Sequence, residues 1–408
     1  MASLMSDPVP QSAGVMRWVV LGLFMLVAGL SQALWLNYAP LITTVQAKYG
    51  VSEASASLLV LVFPLIYVLL SVHAGRLTDT KGYRFTVGLG AWLMAVFACL
   101  RISDGGHFWV VLVAQTGIAV GQPYAVNGIS KLVGDWFTPE HSAIATGLGT
   151  MGMFIGMAVG MAATPPAIEA LGYAGAMAVF AGVSIAIALA WMLVVKNNPH
   201  AVPVAASQTP TLRSLMANPR LQLLFVVAFL GLGFFNGFTT WLEPILAPNG
   251  FDAVKAGVIG GVLIVGGIIG AVVIPALSDW AHRRKPFLIG SVVLALFALV
   301  PVCTSRDETV VLASSFALGF FFLPAFALLL DMCASVAGEA AAGGATGLLM
   351  LFGNGGGVVV IVAMVVVKGD AATFERGVYL LYGVVVLALA LAFAVPETKQ
   401  ITPPSPAA

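Results

Sequence analysis

Apolar residues run through this chain in long unbroken stretches, and charged positions gather in short clusters between them. Stretches without Asp, Glu, Lys or Arg cover 18–47, 54–75, 85–100, 105–130, 141–168, 170–195, 221–242, 256–278, 286–305, 309–330, 340–367 and 377–396. A helix needs about 20 apolar residues to cross about 30 Å of hydrocarbon. The pattern therefore predicts twelve membrane-spanning helices and an all-α fold. The shortest stretch, 85–100, lies between Arg84 and Arg101, whose long stems are expected to carry their charges to the headgroups.

The longest interval between spans, "KNNPHAVPVAASQTPTLRSLMANPR", is rich in Pro, Asn and Ser and reads as a linker, with "TLRSLM" as a short surface helix. It divides the chain into a tail 1–16, a six-helix bundle 17–195, the linker 196–219, a second six-helix bundle 220–396 and a tail 397–408. A repeat supports the division. "GRLTDTKGYR" at 75–84 has a partner "PALSDWAHRR" at 275–284, so Asp79 and Asp279, Arg84 and Arg284, and Gly50 and Gly250 all differ by 200. Two six-span halves in the same topology imply a pseudo-two-fold axis along the membrane normal.

Charged residues make up 9% of the 408 positions, against about 25% in soluble domains, so an ordinary water-facing surface cannot be covered. The net charge of +1 supplies no field for nucleic acid. Cys99, Cys303 and Cys333 lie far apart in apolar surroundings and read as small hydrophobes. Of 18 Lys and Arg, six (Lys48, Arg101, Lys255, Arg306, Lys368 and Arg376) fall on one side of a twelve-span layout, and the other twelve lie with the termini. The positive-inside rule then puts both ends in the cytoplasm, with a bacterial inner membrane expected.

Polar residues inside spans are costly and mark function. In the first span Gln32, Trp35 and Tyr38 are three residues apart and share a face. Gln122 lies mid-span in the fourth, followed by Pro123, Tyr124 and Asn127, and Asn236 interrupts an aromatic run after Phe235 in the seventh. Trp35, Tyr38, Gln122, Tyr124, Phe235 and Asn236 are the candidate substrate-binding residues. Glu243, near the outer end of its span, reads as a gate residue or a proton carrier. Asp331 lies 200 beyond Lys131, so a pair between them would close the inner side. The gating set is Asp79, Arg84, Lys131, Glu243, Asp279, Arg284 and Asp331. Gly147, Gly149 and Gly152 spell a GxGxxG without a preceding soluble strand, and read as helix packing; Gly353, Gly355, Gly356 and Gly357 read the same way. His73 reads as a hydrogen-bonded structural residue. No nucleophile with its base, metal-ligand spacing or Walker loop is present, so the chain reads as a transporter that binds and releases without a cofactor or an enzymatic step.

The halves and the loop with Gly75, Asp79, Gly82 and Arg84 resemble the major facilitator superfamily. There the Asp helps to latch the cytoplasmic face against the start of span eleven; Thr80 and Tyr83 depart from the motif. Within it, "RWVVLGLF", "LWLNY", "GQPYAVNGISKLVGDWFTPEHS" and "GMAVGMAATPP" resemble the feline leukaemia virus subgroup C receptor-related transporters of choline and ethanolamine, which are also implicated in haem export. That resemblance implies a monomer in the lipid bilayer that moves a small organic cation, with Trp35 and Gln122 contacting the amine and Phe235–Asn236 standing where an aromatic completes the cage. The alternative is a proton-coupled exporter of amphiphilic compounds or another small metabolite, using Glu243 or Asp331.

Overall fold

The computed structural model describes residues 11–198, 212–338, 341–395 and 397. The described chain is all helical: α1 (Gln11–Leu36), α2 (Ile42–Tyr49), α3 (Glu53–Lys81), α4 (Tyr83–Leu100), α5 (Phe108–Val126), α6 (Ile129–Trp136), α7 (Pro139–Val194), α8 (Leu212–Met216), α9 (Pro219–Leu246), α10 (Ala253–Trp280), α11 (Lys285–Thr304), α12 (Glu308–Ala337), α13 (Ala342–Lys368) and α14 (Glu375–Ala394). Among the described residues, eleven segments are long and apolar enough to cross a membrane, and the one at Ile144–Val194 has 51 residues. At 1.5 Å per residue that is about 77 Å, enough for two crossings. Gly172, at φ 71°, breaks it into two arms, giving twelve crossings. The sequence reading put this break at Glu169. An exposed glutamate continues a helix, whereas the left-handed turn needs a residue without Cβ.

Successive crossings alternate, so the turns fall on two faces. Gly50, Arg101–His107, Gly172, Gly250, Ser305 and Gly369 share one, here the Gly50 face; Gly82, Phe137 and Gly338 share the other, the Gly82 face. The 200-residue register is visible in the geometry. Gly50 and Gly250 are both left-handed, at φ 64° and 92°. Ser52 caps α3 by accepting from the Ser55 amide, and Asp252 caps α10 by accepting from that of Lys255.

Glycine sets the closest helix crossings. Where α1 meets the first arm of α7, a Cβ on Gly156 would stand 1.9 Å from the Gly29 carbonyl oxygen, and one on Gly152 would meet Met25 at 2.8 Å. Where α9 meets α13, a Cβ on Gly356 would lie 1.8 Å from the Phe229 carbonyl oxygen. These contacts agree with reading the glycine-rich stretches as packing surfaces, although Gly147 itself touches nothing within 4 Å. The short helix expected in the linker is present as α8, with Leu215 buried and its tip against Gly344 at the start of α13. Linker residues 199–211, residues 1–10 and the C-terminal tail apart from Glu397 lie outside the described residues, and α1 already begins at Gln11, inside the stretch read as a tail 1–16.

Arg101 departs from expectation. It is fully buried at the end of α4, inside the protein and not extended from its surface. Its Nη1 donates to Gln115 Oε1 at 3.1 Å, while Gln115 Nε2 donates to the Leu34 carbonyl of α1 at 2.9 Å. Its guanidinium lies 5.8 Å from the Tyr38 ring centroid. A helix C-terminus, an amide oxygen and an aromatic face beside the guanidinium offset part of its burial, while Nε and Nη2 are buried without partners.

Candidate functional site

The polar residues of the first span divide between two environments. Trp35 is buried; its indole Nε1 donates to the Val60 carbonyl at 3.2 Å, and its ring stacks on Phe63 with centroids 6.3 Å apart. The cause is local. Pro64 lies inside α3 and has no N–H to give Val60, so that carbonyl is free for the indole. Gln32 Nε2 donates to Ser31 Oγ at 3.2 Å. Tyr38 is fully buried, and its hydroxyl meets that of Tyr173 at 2.6 Å. Around this pair sits a polar clamp on the Gly50 face. Asp104 is ion-paired with Lys48 and accepts from the Tyr49 hydroxyl at 2.6 Å, and the Lys48 ammonium stands 3.5 Å from the Tyr173 ring centroid. Burial opposes the Asp104 charge, but hydrogen bonds from Lys48, Tyr49 and the Gly106 amide outweigh it and hold the carboxyl below the usual range.

Gln122 is 5% exposed and has no hydrogen-bond partner among the described residues. Beside it, Tyr124 is engaged: its hydroxyl meets His73 Nδ1 at 2.9 Å, which gives His73 the structural bond expected of it. Asn127 joins the same α3–α5 seam, accepting from Tyr67 and donating to the Ser71 carbonyl. Phe235 and Asn236 are buried in α9. Neither amide atom of Asn236 has a partner, and the side chain occupies room left by Gly357, where a Cβ would stand 2.0 Å from Nδ2. Asn37, which the sequence reading left out of the site, is likewise fully buried with both amide atoms unpartnered, as is the Thr240 hydroxyl. Buried amides without partners are rare in proteins.

Glu243 is the one acid buried among the described residues, at 2% exposure. Its carboxylate accepts from Thr43 Oγ1 at 2.6 Å and from the Thr43 amide at 3.2 Å. Thr43 stands in the first turn of α2, where free N–H groups attract negative charge. A second bond between the halves, the Lys368–Glu53 ion pair, lies on the same face. A third contact there sets α10 against the first arm of α7, where a Cβ on Gly257 would be 2.5 Å from the Met161 carbonyl oxygen. The two sets of six crossings are therefore latched together on the Gly50 face. Sequence reasoning named Glu243 but missed Thr43, Glu53 and Lys368. The 200-residue offset between 43 and 243 was the signal available for the first of them.

Three ion pairs on the Gly82 face lie within one set of crossings or the other. Arg284 pairs with Asp279 and brings Nε within 2.8 Å of Asp331, off the N–H direction. Lys131 pairs with Asp135 one turn on, at 3.0 Å, so the expected Lys131–Asp331 pair is not formed. Asp79 is exposed and bonds to nothing among the described residues, and the Arg84 side chain is exposed, its carbonyl accepting from Trp191. The two copies differ for a chemical reason. Position 331 is an acid that Arg284 can meet, whereas its counterpart 131 is a cation that would repel Arg84.

Residues 22–361 match the family model for the Major Facilitator Superfamily. The chain belongs to this superfamily. Its twelve crossings are the fold of alternating-access transmembrane transporters, in line with a site that binds and carries no reactive constellation. The chain is 27% identical over 356 residues to an uncharacterised MFS-type transporter of Caenorhabditis elegans, covering 80% of this chain and 60% of that protein. It is 26% identical over 343 residues to the choline/ethanolamine transporter FLVCR1 of Felis catus, covering 77% and 61%. It thus spans about 60% of the length of these relatives. Among solved structures, it is similar to a bacterial homologue of the human lysosomal transporter Spinster in an inward-facing and occupied conformation. There the TM-score is 0.76, with 16% identity over 93% of this chain and 96% of the other.

Proposed function

We propose that this chain is a proton-linked, alternating-access transporter of a small amphiphilic organic solute, set in a bacterial inner membrane with both termini cytoplasmic. Glu243 carries the reading. An acid held inside a span is a proton-relay candidate, and this one also bridges the two halves through Thr43. As a carboxylate it accepts two hydrogen bonds. Protonated, it keeps less acceptor strength and loses the attraction to the α2 N-terminus, so the Gly50 face is released. Proton binding and opening toward one side of the membrane are thereby the same event, and the solute rides on the alternation.

The test is uptake of an alkylated fluorescent amine into proteoliposomes, with and without an imposed pH gradient. The native chain is expected to accumulate it only with the gradient, and Glu243→Gln to lose accumulation at least tenfold while downhill flux persists. Accumulation that ignores the gradient, or that survives in Glu243→Gln, overturns the proposal.

A second reading, facilitated passage of a small organic cation such as choline or ethanolamine, is favoured by Gln122, whose side chain has no partner among the described residues. The Trp35 ring and the similarity to the choline/ethanolamine transporter of Felis catus support it too.

A further inference from the structure

Between α9, α11, α12 and α14 lies a narrow cavity of ≈ 40 Å³, open at one side, whose walls are entirely apolar side chains and one glycine. The back wall is closed: Leu288 of α11 and Val385 of α14 are 1% and 2% exposed. In the middle, Phe234 and Phe322 meet with ring centroids 4.8 Å apart. Only Leu230, Gly231 and Phe326 among the lining residues are partly exposed, which puts the mouth between α9 and α12. α9 is also the helix whose far end is latched to the other half through Glu243. Its mouth-bearing stretch lies below that latch, within two turns of the unpartnered Asn236.

A space without hydrogen-bonding groups does not hold ordered water well, since a buried water needs two to four polar partners. Its natural occupant is a hydrocarbon group attached to something polar that stays outside. We propose that this side pocket takes the alkyl or aryl part of the transported solute while the polar end remains on the path between the halves. This deepens the amphiphile reading above and rests on it for the identity of the occupant. It also explains why the mouth carries a glycine: a Cβ at Gly231 would meet nothing within 4 Å, so a larger residue there has room to stand in the opening.

The experiment measures binding of two homologous series, n-alkyl-trimethylammonium ions and 1-alkanols, to the purified chain in nanodiscs, with empty nanodiscs subtracted. Affinity is expected to rise about fourfold per methylene in at least one series, then level off when the pocket is full. Gly231→Leu should flatten that rise and leave the shortest member's affinity within twofold. Phe326→Ala should move the plateau to longer chains. No chain-length dependence beyond that of empty nanodiscs overturns the pocket, as does a slope that survives both Gly231→Leu and Gly231→Phe in protein with native Tm. The pH-gradient assay with Glu243→Gln does not read this slope, so a failure of proton linkage and a failure of the pocket are separate results.

Discussion

At the residue scale, one proline decides what Trp35 can do. Pro64 frees the Val60 carbonyl, the indole N–H takes it, and the ring is thereby fixed against Phe63. Trp35→Phe leaves that buried carbonyl without a donor and should cost about 1–3 kcal/mol in thermal unfolding. If the organic-cation reading holds, Trp35→Leu should also weaken a quaternary amine several-fold to roughly thirtyfold, and an uncharged isostere less. Equal losses for both ligands would leave Trp35 a packing residue. Asp104 gives a second test, by pH. Its folded carboxyl is held below the usual range, so its contribution is complete above the ordinary aspartate value of about 3.9 and is lost as pH falls through the lowered folded value. Thermal unfolding should show native protein losing stability below about pH 4 by more than Asp104→Asn does, and identical acid limbs would remove the clamp from the account. These roles were hard to read in sequence. Trp35 and Glu243 announce themselves as polar groups in apolar runs, but Arg101 looked like a border residue because its partner Gln115 is brought to it only by packing.

Among elements, the helices themselves were legible because hydrocarbon excludes charge, and every predicted stretch overlaps a helix of the fold. Boundaries followed a different rule. Charge clusters marked where water begins, whereas the turn between the arms of α7 follows backbone freedom at Gly172, three residues past the charge. Helix crossings supply a test that separates two glycines of one stretch. Gly156→Ala forces a Cβ toward the Gly29 carbonyl and should destabilise by about 1–3 kcal/mol. Gly147→Ala meets nothing and should stabilise by up to about 1 kcal/mol through helix propensity alone. Equal Tm values for the two variants in detergent would show that the α1–α7 crossing tolerates more separation than its geometry implies.

For the whole molecule, the Thr43–Glu243 and Lys368–Glu53 bonds join the halves on the Gly50 face, while the Arg284 and Lys131 ion pairs of the Gly82 face each lie inside one half. Loosening the latch should therefore open the molecule in one direction. Removing Lys368 as Lys368→Met, or the Thr43 hydroxyl as Thr43→Val, forfeits about 1–2 kcal/mol, a five- to thirtyfold population shift. A cysteine at buried Thr240, in a chain with its three native cysteines replaced, should react correspondingly faster with a thiol reagent. Unchanged reactivity would mean that the latch does not set the population. The Lys368–Glu53 pair left no trace in the sequence, because a bond across an interface leaves no periodicity on either side, whereas Thr43 and Glu243 at least share the 200-residue offset of the repeat.

Thr43 and Glu243 are separated by 200 residues, the spacing that relates the two copies of the repeat, so each is the other's counterpart. Only positions on the axis of a two-fold arrangement can touch their own equivalents. Two identical halves would set like against like there: glutamate facing glutamate repels, and threonine facing threonine offers no charge to release. A donor opposite an acid requires the halves to be unequal at that point. Joining them in one polypeptide lets position 43 and position 243 carry different residues, and the switch proposed for this transporter lies where the repeat has broken its own symmetry.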